Sequence, residues 1–222
     1  MRSLRPAPVL AVCVIFIVSV CSTLSFAKGK SFSLPRAFHA KTYPAYDAHE
    51  HEKLAIAADP YDTVDKAALV FSVKYREEGL LPVHLIISND GNQSVSLAQM
   101  EVVFITKKGT KLDPDRTEDV FRRISKQKQG QGPSANPLPF PRKRSLGVSH
   151  EAQSEVEGAQ FLARAVEPHS SQAGFFFFDV SGIENALAGG RLEVTGIRNS
   201  QGEEVFFFEI PMEKYLSYQP LK

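Results

Sequence analysis

The chain has 222 residues, 43% of them hydrophobic, and its 26 basic residues nearly balance 25 acidic ones, for a formal charge of +1. Near-neutrality argues against a global role on nucleic acid or on an anionic membrane surface. Both cysteines, Cys13 and Cys21, precede residue 28, so the remainder has no disulfide, no thiol nucleophile and no cysteine-based zinc site.

Residues 1–27 follow the order of a secretory signal. Arg2 and Arg5 open it, an apolar run extends from Val9 to Val20, and Ser25-Phe26-Ala27 supplies the small-x-small pattern that a signal peptidase cuts. The run is short for a membrane span of roughly 20 residues. The expectation is therefore a cleaved leader and an exported protein, periplasmic or extracellular, with no membrane span left. The alternative is an uncleaved N-terminal anchor, with Leu24 to Ala27 extending the run. Residues 28–45 are basic, contain proline and lack an apolar period, so they read as a flexible lead-in.

Strand signals then recur, and residues 46–218 are expected to form a single β-sandwich domain. Leu54, Ile56 and Ala58 alternate along their segment, and "ALVFSVK" (68–74) is rich in strand formers. "PVHLIIS" (82–88) ends at Asn89-Asp90-Gly91-Asn92, a turn cluster suited to positive φ. Residues 95–97 and 100–106 continue the pattern, and Lys107-Lys108-Gly109 closes another turn. In the second half, residues 160–167 alternate, and "GFFFFDV" (174–180), "RLEVTGI" (191–197) and "EVFFFEI" (204–210) follow. Continuous apolar runs of this length suit strands covered on both faces, so the two Phe runs are expected at the centre. Short strands between turns at this spacing predict a mainly β, antiparallel, immunoglobulin-like sandwich.

Residues 114–158 read as an excursion from that sandwich. Asp113 is placed to cap a helix, Pro114 sits in its first turn, and Val120, Phe121 and Ile124 share one face, which predicts one helix over about 114–127. From Gln129 to Gly147, four prolines, three glycines and Arg142-Lys143-Arg144 predict a long mobile loop.

The densest set of potential metal ligands is "YDAHEHEK" (46–53). On an extended chain Asp47, His49 and His51 face one way, an incomplete N/O shell for a divalent cation such as zinc, with Glu50 and Glu52 on the other side. His84 and His169 complete the set only if the fold delivers them. The competing reading is a hydrated polar connector, with His84 a hydrogen-bonded strand residue and His169 a corner residue. A second candidate is the basic run with Arg122, Arg123, Lys126, Lys128, Arg142, Lys143 and Arg144, which suits an anionic partner or lipid unless it is only a solvated helix face and loop. Catalytic motifs do not emerge: there is no Gly-x-Ser-x-Gly, His-Glu-x-x-His or Walker loop, and Ser and His are too scattered for a triad. Gly130-Gln-Gly132-Pro-Ser-Ala135 matches a dinucleotide pattern by letters alone, because it follows a predicted helix where that motif needs a strand.

Four blocks, "YPAYDAHEHEKLAIAADPYDT" (43–63), "LPVHLIISNDGNQSVSL" (81–97), "VEPHSSQAGFFFFDV" (166–180) and "GEEVFFFEIPMEKYL" (202–216), carry a likeness. The chain resembles, over residues 43–218, a group of exported acidobacterial-type bacterial proteins to which no activity is assigned. The resemblance implies an export signal and one β-rich domain, and supplies no catalytic residues. The expectation is a non-catalytic module with a binding, assembly or structural role in the cell envelope, no cofactor, and an unidentified protein or envelope partner. Strand addition at a sheet edge is one mode open to it. The alternative is a metal-binding protein or metal-dependent enzyme using Asp47, His49 and His51.

Overall fold

Near-continuous apolar runs, "LAIAADP" and "LLPVHLIISN", give the central pair of the molecule, β2 (Leu54–Pro60) and β3 (Leu80–Asn89), each covered on both faces. Leu54, Ile56 and Ala58 point to one side together with Leu81, Val83, Leu85 and Ile87, while Ala55, Ala57 and Ile86 point to the other. The computed structural model describes residues 32–129 and 148–217, and for 126–129 the backbone alone. The expected leader and the Pro-rich stretch fall outside the described residues.

β1 (Tyr46–His49) and β8 (Ser170–Asp179) flank this pair, completing an antiparallel sheet of order β1-β2-β3-β8. β5 (Glu101–Ile105), β6 (Lys111–Leu112), β9 (Arg191–Thr195) and β10 (Phe208–Pro211) form a second antiparallel sheet of order β10-β9-β5-β6. A two-residue ladder joins β4 (Val95–Ser96) to β7 (Ala165–Val166). The inner faces of the two four-stranded sheets meet in one core, where Leu85, Ile87 and Phe178 from the first join Phe104, Leu192, Val194, Phe208 and Ile210 from the second. The protein is mainly β, built from antiparallel sheets with few helices.

The run in β8 is continuous because both of its faces are covered. Phe176 and Phe178 face the second sheet, while Phe175 and Phe177 enter an aromatic layer on the outer face. The outer edge of β8 is closed as well: the Asp115 amide donates to the Phe177 carbonyl (2.7 Å), and Gln160 bridges Phe175. Gly174 permits this closure, since a Cβ there would run into the Phe161 backbone. Covering an edge in this way removes a template for aggregation.

Three α-helices appear among the described residues where one was expected. The predicted helix begins later, as α2 (Thr117–Gln129), because Pro114 and Asp115 are held against β8. α3 (His150–Ala159) was missed. Ser149 caps it by accepting the Ala152 amide (3.2 Å), and Ala152, Glu155, Val156 and Ala159 form its buried face. The stretch "ALVFSVK" is not a strand. Thr63 caps α1 (Val64–Ala68), turns follow, and Ala67, Phe71 and Tyr75, spaced by four, are buried while Leu69 is exposed. That spacing is the helical period, and it outweighs the β-propensity of Val70 and Val73.

Two further expectations shrink. Of residues 160–167, only Ala165 and Val166 pair as a strand, and Leu162 is exposed. The lead-in is packed over part of its length: Ala40 is fully buried against Ala55, Ala57 and Ile86, and its amide donates to Ser88 Oγ (2.9 Å). A sheet face of alanines lets this strap lie close.

Candidate functional site

The ligand cluster splits when the chain turns. Asp47 and His49 lie opposite Ile56 and Leu54, so both look toward the inner face. His49 Nε2 comes within 3.7 Å of Asp47 Oδ2, yet both groups have structural duties. Asp47 Oδ2 accepts the Glu209 amide of β10 (3.0 Å), and Asp47 Oδ1 accepts the Ala48 amide (2.8 Å). The His49 ring stacks on Phe208 with centroids 3.9 Å apart. The pair thus stitches the edge of β1 to the edge of β10. His51 does not join it, because the extended geometry ends at His49 and residues 50–53 form the hairpin turn, with Lys53 at φ 57°.

His84 lies on the opposite face of the sheet, cross-strand from Asp59 and stacked on Phe175 (4.7 Å). His169 sits in the turn before β8 at φ 54°, its Nε2 3.1 Å from Asn92 Oδ1. The five proposed ligands therefore fall on both faces of one sheet and in two turns. Among the described residues no group of three or more His, Cys, Asp or Glu could hold a metal ion.

The basic run is partly neutralised from within. Arg122 bonds Asp119 (2.6 Å), and Arg123 joins Asp115 (3.3 Å), Asp179 and Ser181 (3.2 Å). Arg142, Lys143 and Arg144 lie outside the described residues. Burial raises the Asp115 carboxyl above its usual range, with Arg123 opposing the shift. Beside this group a cleft of about 300 Å³ opens between Arg116, Thr117, Gln160, Phe161 and Phe175.

The outer face of the first sheet carries two polar arrangements that the sequence did not announce. Glu155, 3% exposed, accepts from the Ser72 amide (2.6 Å), Ser72 Oγ (2.7 Å), the Val73 amide (3.2 Å) and the Tyr75 hydroxyl (3.0 Å). Four donors around one carboxylate fix α3 to the segment after α1. Nearby, Lys66 Nζ donates to Asp59 Oδ1 and the Pro60 carbonyl, both at 2.6 Å, and lies 4.9 Å from the centroids of Tyr61 and Tyr215. His84 is 1% exposed, and its Nε2 has no hydrogen-bond partner among the described residues. Burial pulls its pKa down to about 4; Asp59 opposes that shift and Lys66 adds to it.

Aromatic exposure marks a third place. Phe206 is 68% exposed and Phe207 39%, their centroids 4.4 Å apart, with His49 6.3 Å from Phe206. Both were expected inside a covered strand. Pairing lapses there: β9 stops at Thr195, and Phe206 falls opposite Gly196, which has φ 73° and the Gln99 backbone where a side chain would go. The ladder resumes where the Val205 amide meets the Ile197 carbonyl (2.8 Å). The left-handed glycine was the available sequence signal.

No helix of the described residues is long and apolar enough to cross a membrane. No family model matches the chain, and no curated protein does. A 2.2 Å crystal structure of a conserved hypothetical protein from Bacillus anthracis is similar over 78% of this chain and 92% of its own, at 11% identity. Its TM-score of 0.28 is too low to carry an argument about fold or function.

Proposed function

We propose that this protein is an exported, non-catalytic β-rich module that binds a partner in the bacterial cell envelope. The observation that carries the proposal is the Phe206–Phe207 pair, two contacting rings, the first largely and the second partly exposed, beside the seam of β1 and β10. Clustered exposed aromatics are characteristic of binding surfaces, and aromatic residues dominate binding energy where they become buried. The ionisable groups near the seam are occupied in holding the sheets together, which favours binding over chemistry. Export rests on the Arg2/Arg5, apolar-run and Ser25-Phe26-Ala27 reading and on the resemblance to exported proteins.

The narrower likeness to immunoglobulin sandwiches has support in two four-stranded antiparallel sheets sharing one core. The strand order speaks against it, since β1, β2 and β3 are consecutive neighbours, whereas the first sheet of an immunoglobulin domain interleaves early and late strands.

A photo-crosslinking residue placed at 206, and separately at the exposed control position 162, tests the proposal in the native host. The expected result is a discrete adduct from 206 alone, abolished when the neighbouring Phe207 is changed to Ser. Equal labelling from both positions contradicts it. So does a purified protein that turns over a substrate and loses that activity on a single substitution.

A further inference from the structure

We infer that His84, with the Asp59–Lys66 ion pair, forms an acid-sensitive latch that docks α1 and its aromatic neighbours on the outer face of the first sheet. Three observations build it. The imidazole is buried on the outer face of the sheet, stacked on its cross-strand neighbour Phe175, and its Nε2 meets no hydrogen-bond partner among the described residues. Its cross-strand neighbour Asp59 is the carboxylate to which Lys66 of α1 is bonded. Lys66 in turn lies against Tyr61 and Tyr215, so one ammonium joins α1, β2 and the turn after β10.

The charged and titratable groups that bear on His84 are few. β2 offers Asp59, α1 offers Lys66, and β8 presents the uncharged Phe175. Tyr61 and Tyr43 both lie close enough to Asp59 to feel its charge. Protonation turns the ring into a second cation in a site that holds one carboxylate. Asp59 can then neutralise His84 or Lys66, and a buried cation left without a partner is costly. The exposed alternative belongs to Lys66, whose stem can swing its ammonium into water, and α1 leaves with it.

The sign follows from linkage. A histidine depressed from 6.5 to about 4 on folding binds more protons when unfolded, so its neutral form stabilises the fold above about pH 6.5. That contribution is lost as pH falls from about 6.5 to about 4, by up to roughly tenfold in the unfolding or undocking constant per pH unit.

The experiment is a ring-proton NMR titration of the folded chain together with denaturant unfolding from pH 7.5 to pH 4, on the native chain and on His84→Gln. The expected titration midpoint lies well below the ordinary histidine value of about 6.5. The native chain should lose roughly a hundredfold more in its folding constant across the window than His84→Gln, in which carboxylates and the other histidines still titrate. Lys66→Met, which removes the competing cation, should raise the His84 midpoint while leaving the chain folded. A midpoint near 6.5, or parallel pH profiles for the native chain and His84→Gln, overturns the latch. If His84→Gln fails to fold, the midpoint and its response to Lys66→Met decide.

Discussion

The two faces of the first sheet are built differently. The inner face packs Leu, Ile, Val and Phe against a second sheet, with polar groups confined to its margins: Asp47 and His49 at the β1 edge and Asn89 at the end of β3. The outer face packs Phe71, Tyr75, Phe175 and Phe177 under helices and turns, with Glu155, His84 and the Asp59–Lys66 pair in or beside that layer. The inner face is held chiefly by apolar burial, which pH changes little, with the Asp47–His49 seam to β10 at its edge. The outer face depends on protonation states and on hydrogen bonds that close long loops. Stability therefore belongs chiefly to one side of the sheet and responsiveness to the other.

Truncating each side in turn separates the two faces most strongly. Phe178→Ala opens a hole in the apolar core and should cost about 4 kcal/mol, seen as a global fall in the denaturant midpoint. Glu155→Ala leaves four donors without their acceptor and should cost about 3 kcal/mol. Its effect should be uneven: near-ultraviolet dichroism of the tyrosines around Tyr75 should collapse before the far-ultraviolet sheet signal does. Equal and simultaneous loss of both signals in Glu155→Ala would mean that the two faces do not yield separately.

Smaller effects sharpen the picture. Gly174→Ala pushes a methyl into the Phe161 backbone at the closed edge of β8 and should cost about 2 kcal/mol, with increased aggregation as the edge opens. Phe206→Ser should shift stability by less than about 0.5 kcal/mol, because most of that ring, 68% exposed, is already in water. A large loss there would assign the ring to the fold and remove it as a binding surface.

The same contrast explains what was legible in the sequence. β2, β3 and β8 could be read because alternation or a continuous apolar run is a local property, and the register follows once one face is buried. Strand propensity misled at 68–74, where Ala67, Phe71 and Tyr75 carry the period that matters. α3 had a cap at Ser149 and a buried Ala152–Val156–Ala159 face, but its neighbouring prolines and glycines drew the whole stretch into a loop. The ligand cluster failed as a set because one hairpin turn, at residues 50–53, separates His51 from Asp47 and His49. Glu155 finds its donors some 80 positions away, and no local pattern announces such a partner. Phe206 and Phe207 looked buried because composition records hydrophobicity and not the lapse of pairing at Gly196.

Amide hydrogen exchange at pH 7 and pH 4, corrected for the intrinsic pH dependence of exchange, compares residues 64–75 and 152–159 with β5 and β9. Protection should fall first in 64–75, then in 152–159, while β5 and β9 keep theirs at pH 4. Loss of protection in all four regions together, or unchanged protection at 64–75, would contradict a separate yielding of the two faces.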